Sequence, residues 1–125
     1  MFFIHEDKTI HITRGDTALI SVTADVGETS YEFKPDDVVR FKVFAKKNCA
    51  NVVLQKDVVV AAPIDAVEIE LSKEETTIGD VISKPVAYWY EIELNPETRP
   101  QTIIGYDENG AKVFKLYPEG GAIYE

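Results

Sequence analysis

The amino-acid sequence predicts an all-β fold: an antiparallel β-sandwich, immunoglobulin-like or related, with about eight strands and one short helical turn. Three observations carry this. Apolar side chains recur at every second residue in several separate stretches, the spacing of a strand with one buried face. The stretches are short and divided by clusters of Pro, Gly, Asn and Asp, which are turn residues. A single stretch, Ser72-Lys73-Glu74-Glu75, carries a helix-start signature.

The most strongly patterned strand is Ala87 to Leu94, in which Tyr88, Tyr90, Ile92 and Leu94 face inward and Trp89, Glu91 and Glu93 face outward. Before it, Phe2 to Ile4 reads as a short strand, followed by a turn at Glu6 to Lys8. Thr9 to Thr13 has Ile10 and Ile12 on one face and His11 on the other, and Gly15 breaks it with a turn or bulge. Ala18, Ile20 and Val22 set the inward face of Thr17 to Ala24, against which Leu19 breaks the polarity of the outer face. Asp25 to Ser30 reads as a polar connection, and Tyr31 to Phe33 as a brief strand ended by Pro35.

Val38 to Lys46 buries Val39, Phe41, Val43 and Ala45 beneath an outer face of Arg40, Lys42 and Lys46, with Phe44 the apolar exception on that outer face. Lys47 to Asn51 is a turn, and Val52 to Val60 is an edge or bent strand, because Gln55-Lys56-Asp57 interrupts its valines. Val67, Ile69 and Leu71 alternate with Glu68 and Glu70, and the helical turn that follows is expected to close at Gly79. Asn95 to Pro100 is a turn. Gln101 to Tyr106 and Ala111 to Tyr117 are strands, and Asn109-Gly110 between them predicts a hairpin. The domain is expected to span residues 1–119, leaving 120–125 as a C-terminal tail.

A chain of 125 residues fits one domain. Its net charge of −9 argues against binding a phosphate backbone, which needs Lys and Arg gathered on a face. Direct nucleic-acid binding is therefore not expected. The longest apolar run falls far short of the ~20 residues of a membrane helix, and the acidic start lacks the basic region of a secretory signal, so neither a membrane nor a secretory route is expected. One cysteine, Cys49, cannot form an internal disulfide; Lys46 and Lys47 beside it would lower its pKa only a little, and an inert surface thiol is the plainer reading.

Reactive constellations are thin. No cofactor, metal site or catalytic residue is expected, since the two histidines have no context beyond strand surfaces and no metal-ligand spacing occurs. Glu68, Glu70, Glu91 and Glu93 would hold a cation only if their strands were adjacent, and pairing with Arg40 and Lys42 is the simpler expectation. Arg14-Gly15-Asp16 spells an adhesion triplet, but a turn at Gly15 explains it. Trp89 beside Phe44 suggests an apolar contact patch, so Phe44, Trp89, Glu91 and Glu93 form the candidate interaction face.

Several segments together resemble a family of short proteins of phages and prophages of Gram-positive bacteria, related in pattern to the N-terminal domain of siphophage upper baseplate proteins. They are Thr13 to Thr17, Asp37 to Val43, Tyr88 to Leu94, Gln101 to Gly105, and Leu116 to Gly120. Ser83 to Ala87 depart from the pattern, where a Gly is usual, as does Glu91, where Asp is common. The resemblance implies a β-sandwich with an architectural role in a tail or baseplate and no catalytic residues. On that basis the expected function is a non-enzymatic virion component, made in the bacterial host cytoplasm. It would act through contacts with other phage structural subunits and with copies of itself. The alternative from another class is a small acidic phage protein that inhibits a host nucleic-acid enzyme by presenting its glutamates as phosphates. A third, a hydrolase or sugar-binding domain, would need a pocket joining His5 or His11 to carboxylates.

Overall fold

In the computed structural model, which describes residues 2–4, 8–26, 29–48, 50–106 and 110–119, the alternating stretches form eleven strands and one helical turn. The elements are β1 (Phe2–Ile4), β2 (Ile10–Thr13), β3 (Ala18–Val22), β4 (Asp25–Val26), β5 (Thr29–Ser30), β6 (Val38–Phe44), β7 (Val52–Val59), β8 (Val67–Leu71), α1 (Lys73–Thr76), β9 (Val86–Leu94), β10 (Gln101–Ile104) and β11 (Lys112–Tyr117). The all-β class follows. The main sheet has the order β1-β2-β11-β9-β6-β7, with β10 also on β9; β3 pairs β8, and β4 pairs β5.

The sheet is mixed rather than wholly antiparallel, because β11 runs parallel to β2, with Phe114 opposite Ile10 and Leu116 opposite Ile12. No short turn joins these two strands, so nothing local imposes an antiparallel direction. Their register instead matches buried residues with buried residues: all four of these side chains are fully buried.

The predicted hairpin between β10 and β11 is not formed. Both strands run antiparallel to β9 along the same edge, β10 opposite Ile92 to Leu94 and β11 opposite Val86 to Tyr90. Two strands that run the same way cannot be closed by a two-residue turn. Gly110 has the positive φ of +95° that suggested the turn, while Asp107, Glu108 and Asn109 lie outside the described residues.

Three smaller expectations also change. Asp25 to Ser30 is not merely a connection, since Asp25 pairs Ser30 and Val26 pairs Thr29. Tyr31 to Phe33 is no strand; Phe33 makes one bridge to Ile64 and drops its ring into the core, with Tyr31 edge-on at 5.3 Å. The helix forms with both halves of the capping box between Ser72 and Glu75, but Thr77 ends it, and Gly79 (φ +67°) bends the chain two residues later.

Alternation places the core. Val39, Phe41 and Val43 of β6, Tyr90, Ile92 and Leu94 of β9, and Phe114 and Leu116 of β11 share one apolar cluster with Ile20, Val22, Val67, Ile69 and Leu71 of the β3–β8 pair. Phe41 lies at its middle, 5.8 Å from the Tyr90 ring and 6.2 Å from Phe114. Each such side chain contributes roughly 1.5–3 kcal/mol of transfer free energy when fully buried. Because β6 and β9 turn these residues inward, the residues between them, Arg40, Lys42, Glu91 and Glu93, emerge together on the opposite face.

Candidate functional site

The outer face of β6 and β9 is where the predicted interaction residues meet. Register sets Phe44 opposite Trp89, Lys42 opposite Glu91 and Arg40 opposite Glu93, so an apolar pair sits at one end and a charged grid at the other. Trp89, Glu91 and Glu93 are half-buried, so the set expected to face outward does so only in part. Phe44 corrects the expectation of an exposed apolar contact: it is only 3% exposed, yet it stands outside the central core cluster. Of the Phe44–Trp89 pair, therefore, only the half-buried Trp89 reaches the surface.

The charges of this face are largely answered from within. Arg40 grips Asp57 through two parallel bonds, Nε to Oδ1 at 2.9 Å and Nη2 to Oδ2 at 3.0 Å, and its Nη1 donates to Glu97 Oε1 at 2.8 Å. These bonds to Asp57 and Glu97 raise the pKa of the guanidinium, and the bond accepted from Arg40 lowers that of Asp57.

Glu91 and Glu93 are less well served. Lys42 Nζ lies 3.3 Å from Glu93 Oε1, and that buried oxygen accepts no well-aligned hydrogen bond. Burial, then the neighbouring Glu93 charge, pushes the Glu91 carboxyl above its ordinary pKa, and Lys42 only partly offsets this. Gly105 covers Glu91 closely: a Cβ there would stand 2.6 Å from Thr102 Cγ2 and 3.8 Å from Glu91 Oε2. One ammonium therefore serves two carboxylates beneath a glycine.

The other two glutamates of the acidic set are elsewhere. Glu68 and Glu70 are exposed on β8, opposite Ser21 and Leu19 of β3. Since β8 and β9 turn their alternate residues into the same core, the two glutamate pairs leave on opposite sides, and no four-carboxylate face exists. Among the described residues, no group of three or more His, Cys, Asp or Glu is placed to hold a metal ion.

The adhesion triplet is likewise resolved by geometry. Arg14 is 7% exposed and donates from Nε to Ile78 O at 3.1 Å and from Nη2 to Gly79 O at 2.6 Å, while Nη1 pairs with Glu119. Gly15 supplies the turn, with φ at +86°. His11 Nδ1 lies 2.9 Å from Tyr117 Oη on a strand surface, and His5 and Cys49 are outside the described residues.

Two features were missed in the sequence. Asp37 is a buried hub that accepts from Lys34 N at 2.9 Å, Tyr31 Oη at 2.7 Å and Asn95 Nδ2 at 3.0 Å. Burial alone would raise its pKa, but these hydrogen bonds outweigh it and the pKa is lowered. Its signal was the Lys34-Pro35-Asp36-Asp37 turn, where an Asp side chain folds back on the backbone three residues earlier. The second is a cleft of about 380 Å³ between Ser21 to Asp25 and Gln101 to Ile104, floored by Tyr31 and Leu94 and flanked by Lys8. No single stretch encodes it, because its walls come from segments about eighty residues apart.

Among the described residues no helix is long and apolar enough to cross a membrane. Comparison with protein-family models, with curated proteins and with solved structures found no match to this chain.

Proposed function

We propose that this chain is a non-enzymatic structural protein of a phage or prophage, tail- or baseplate-associated, that works through contacts between subunits. The observation that carries the reading is the position of the family-like segments. Asp37 to Val43, Tyr88 to Leu94, Gln101 to Gly105 and Leu116 to Glu119 fall on β6, β9, β10 and β11, which are neighbours in one sheet. Thr13 to Thr17 joins β2 to β3 and supplies Arg14, which is bonded to Glu119 beyond β11. The resemblance is thus carried by a connected architectural frame. In the finer architecture we propose, this frame and the β3–β8 pair are the two layers of a β-sandwich, immunoglobulin-like or related, with the parallel β2–β11 pair inside one layer.

Mass spectrometry of phage particles purified after induction of the strain that carries the gene tests the reading. The chain is expected in the particle alongside tail proteins. Its absence from purified particles, while it is present in the lysate, would overturn the proposal. The charge-mimic alternative keeps only the net charge of −9 in its support, because the glutamates that suggested it are divided between two faces.

A further inference from the structure

β7 is the last strand on its side of the main sheet and, among the described residues, pairs only with β6. The direction of its backbone groups follows from two neighbouring bonds. Val60 N donates to Asp37 O at 2.8 Å, and Asn95 N donates to Val38 O at 2.7 Å. Alternation from these points aims the N–H and C=O of residues 54, 56 and 58 at β6 and those of Gln55, Asp57 and Val59 at the open edge. Gln55, Asp57 and Val59 are all exposed, Val59 at 63%, and Val52 and Val53 at the other end are 51% and 41% exposed.

Such an edge pairs readily with another strand, and the sequence of this one is self-complementary. A two-fold axis perpendicular to a sheet preserves the face each side chain points to, so some residue must stand opposite itself. Centring on Asp57 sets two like carboxylates face to face. Centring on Gln55 sets Asp57 against Val53 and Lys56 against Leu54. Centring on Lys56 instead pairs Gln55 with Asp57, Leu54 with Val58 and Val53 with Val59, each twice. It also brings the open-edge groups of Gln55 and Asp57 together for about four backbone hydrogen bonds. The two facing Lys56 ammoniums each arrive with a carboxylate, since Lys56 Nζ is held at 2.8 Å by its own Glu75 Oε1.

We propose that the chain forms a two-fold dimer through β7, the two strands pairing antiparallel with Lys56 opposite Lys56 so that the main sheet continues across both copies. The inference rests on the subunit-contact reading above and names the partner as a second copy. The exposed valines at either end of β7 then cover one another, and the Lys56–Glu75 pair balances charge at the axis, where a lysine alone would repel its twin.

Sedimentation equilibrium of the full chain through the micromolar range is expected to give twice the monomer mass. Gln55→Pro deletes an N–H that points away from β6, a change an edge strand accommodates. It should weaken the dimer at least about tenfold while leaving the circular dichroism spectrum unchanged. A register-specific check uses Lys56→Cys in a Cys49→Ser background. In this arrangement the Cα atoms at position 56 of the two copies would stand about 4.5 Å apart across a non-hydrogen-bonded pair, within disulfide reach, and oxidation should yield a covalent dimer. A strict monomer, a dimer indifferent to Gln55→Pro, or a dimer that Lys56→Cys fails to cross-link would overturn the proposal. A monomer found in purified particles would sink this dimer alone, and a β7 dimer absent from them would sink only the virion role.

Discussion

Two arginines hold this fold in opposite ways. Arg14 is buried where the β2–β3 turn, the Ile78-Gly79 segment and Glu119 meet, and two of its three bonds go to backbone carbonyls. Arg40 lies on the outer face of the sheet, bonded only to the carboxylates of Asp57 and Glu97. A carbonyl deprived of its buried donor has no substitute, whereas an exposed carboxylate turns to water. The difference teaches that the junction around Arg14 is a structural tie, while the charged grid around Arg40 is a surface whose charges are adjustable.

The largest expected effect is at the junction. Arg14→Leu removes the buried donors to Ile78 O and Gly79 O, while the exposed Glu119 carboxylate turns to water, a loss of about 3 kcal/mol that comes from the two carbonyls. Urea unfolding followed by fluorescence of Trp89 would register it as a lower midpoint. Arg14→Lys should recover only part, since one ammonium cannot reproduce a fork that serves three acceptors at once. A change below about 0.5 kcal/mol for Arg14→Leu would erase the contrast with Arg40.

Asp37 extends the contrast to a buried acid. Asp37→Asn replaces one of its accepting oxygens with a donor that faces either Lys34 N or Asn95 Nδ2, at a cost of about 2 kcal/mol. The pH dependence has a definite sign. With its pKa lowered in the fold, Asp37 adds stability that is fully present above the ordinary aspartate range and is lost as pH falls through the lowered value. Acid titration of stability should therefore be shallower in Asp37→Asn than in the unaltered chain.

The inward set of each long strand was legible in the sequence because period two needs only the residue's own neighbours: Ile10, Ile12, Ile20, Phe41, Ile92 and Leu71 are all buried as read. The capping box at Ser72 and Glu75 was legible for the same reason. What was not legible depends on which strands become neighbours. The parallel pairing of β2 with β11 and the end-to-end placement of β10 and β11 along β9 are choices between partners that local pattern leaves open. The separation of Glu68 and Glu70 from Glu91 and Glu93 is another such choice, since β8 pairs with β3 and not with β9. Phe44 misled for a related reason: an aromatic on an outer face reads as exposed, and it is buried.

On the outer face the effects should be small, and one should have the opposite sign. Truncating Arg40 and Asp57 singly and together is expected to give a coupling of about 0.5–1 kcal/mol, measured as a double-mutant cycle in urea. A coupling as large as the Arg14→Leu loss would mean that the grid is as structural as the junction.

Glu91→Gln is the smallest and the most discriminating. Burial and Glu93 raise the Glu91 pKa in the fold, so the folded state holds its proton more tightly than the unfolded chain. Stability from this group is consequently greatest below the ordinary glutamate range and falls as pH rises through the raised value, the reverse of Asp37. At neutral pH the carboxylate is a net penalty, and replacing it by an amide of the same shape should stabilise by about 0.5 kcal/mol. The amide can also donate to Glu93, whose Oε1 is buried without an aligned donor. Thermal melts of Glu91→Gln and the unaltered chain should then converge at mildly acid pH and separate toward neutrality. A destabilised variant at neutral pH would mean that the Glu91 charge is answered by Lys42 more fully than that of Glu93, and that the shortage of cations on this face falls on Glu93 instead.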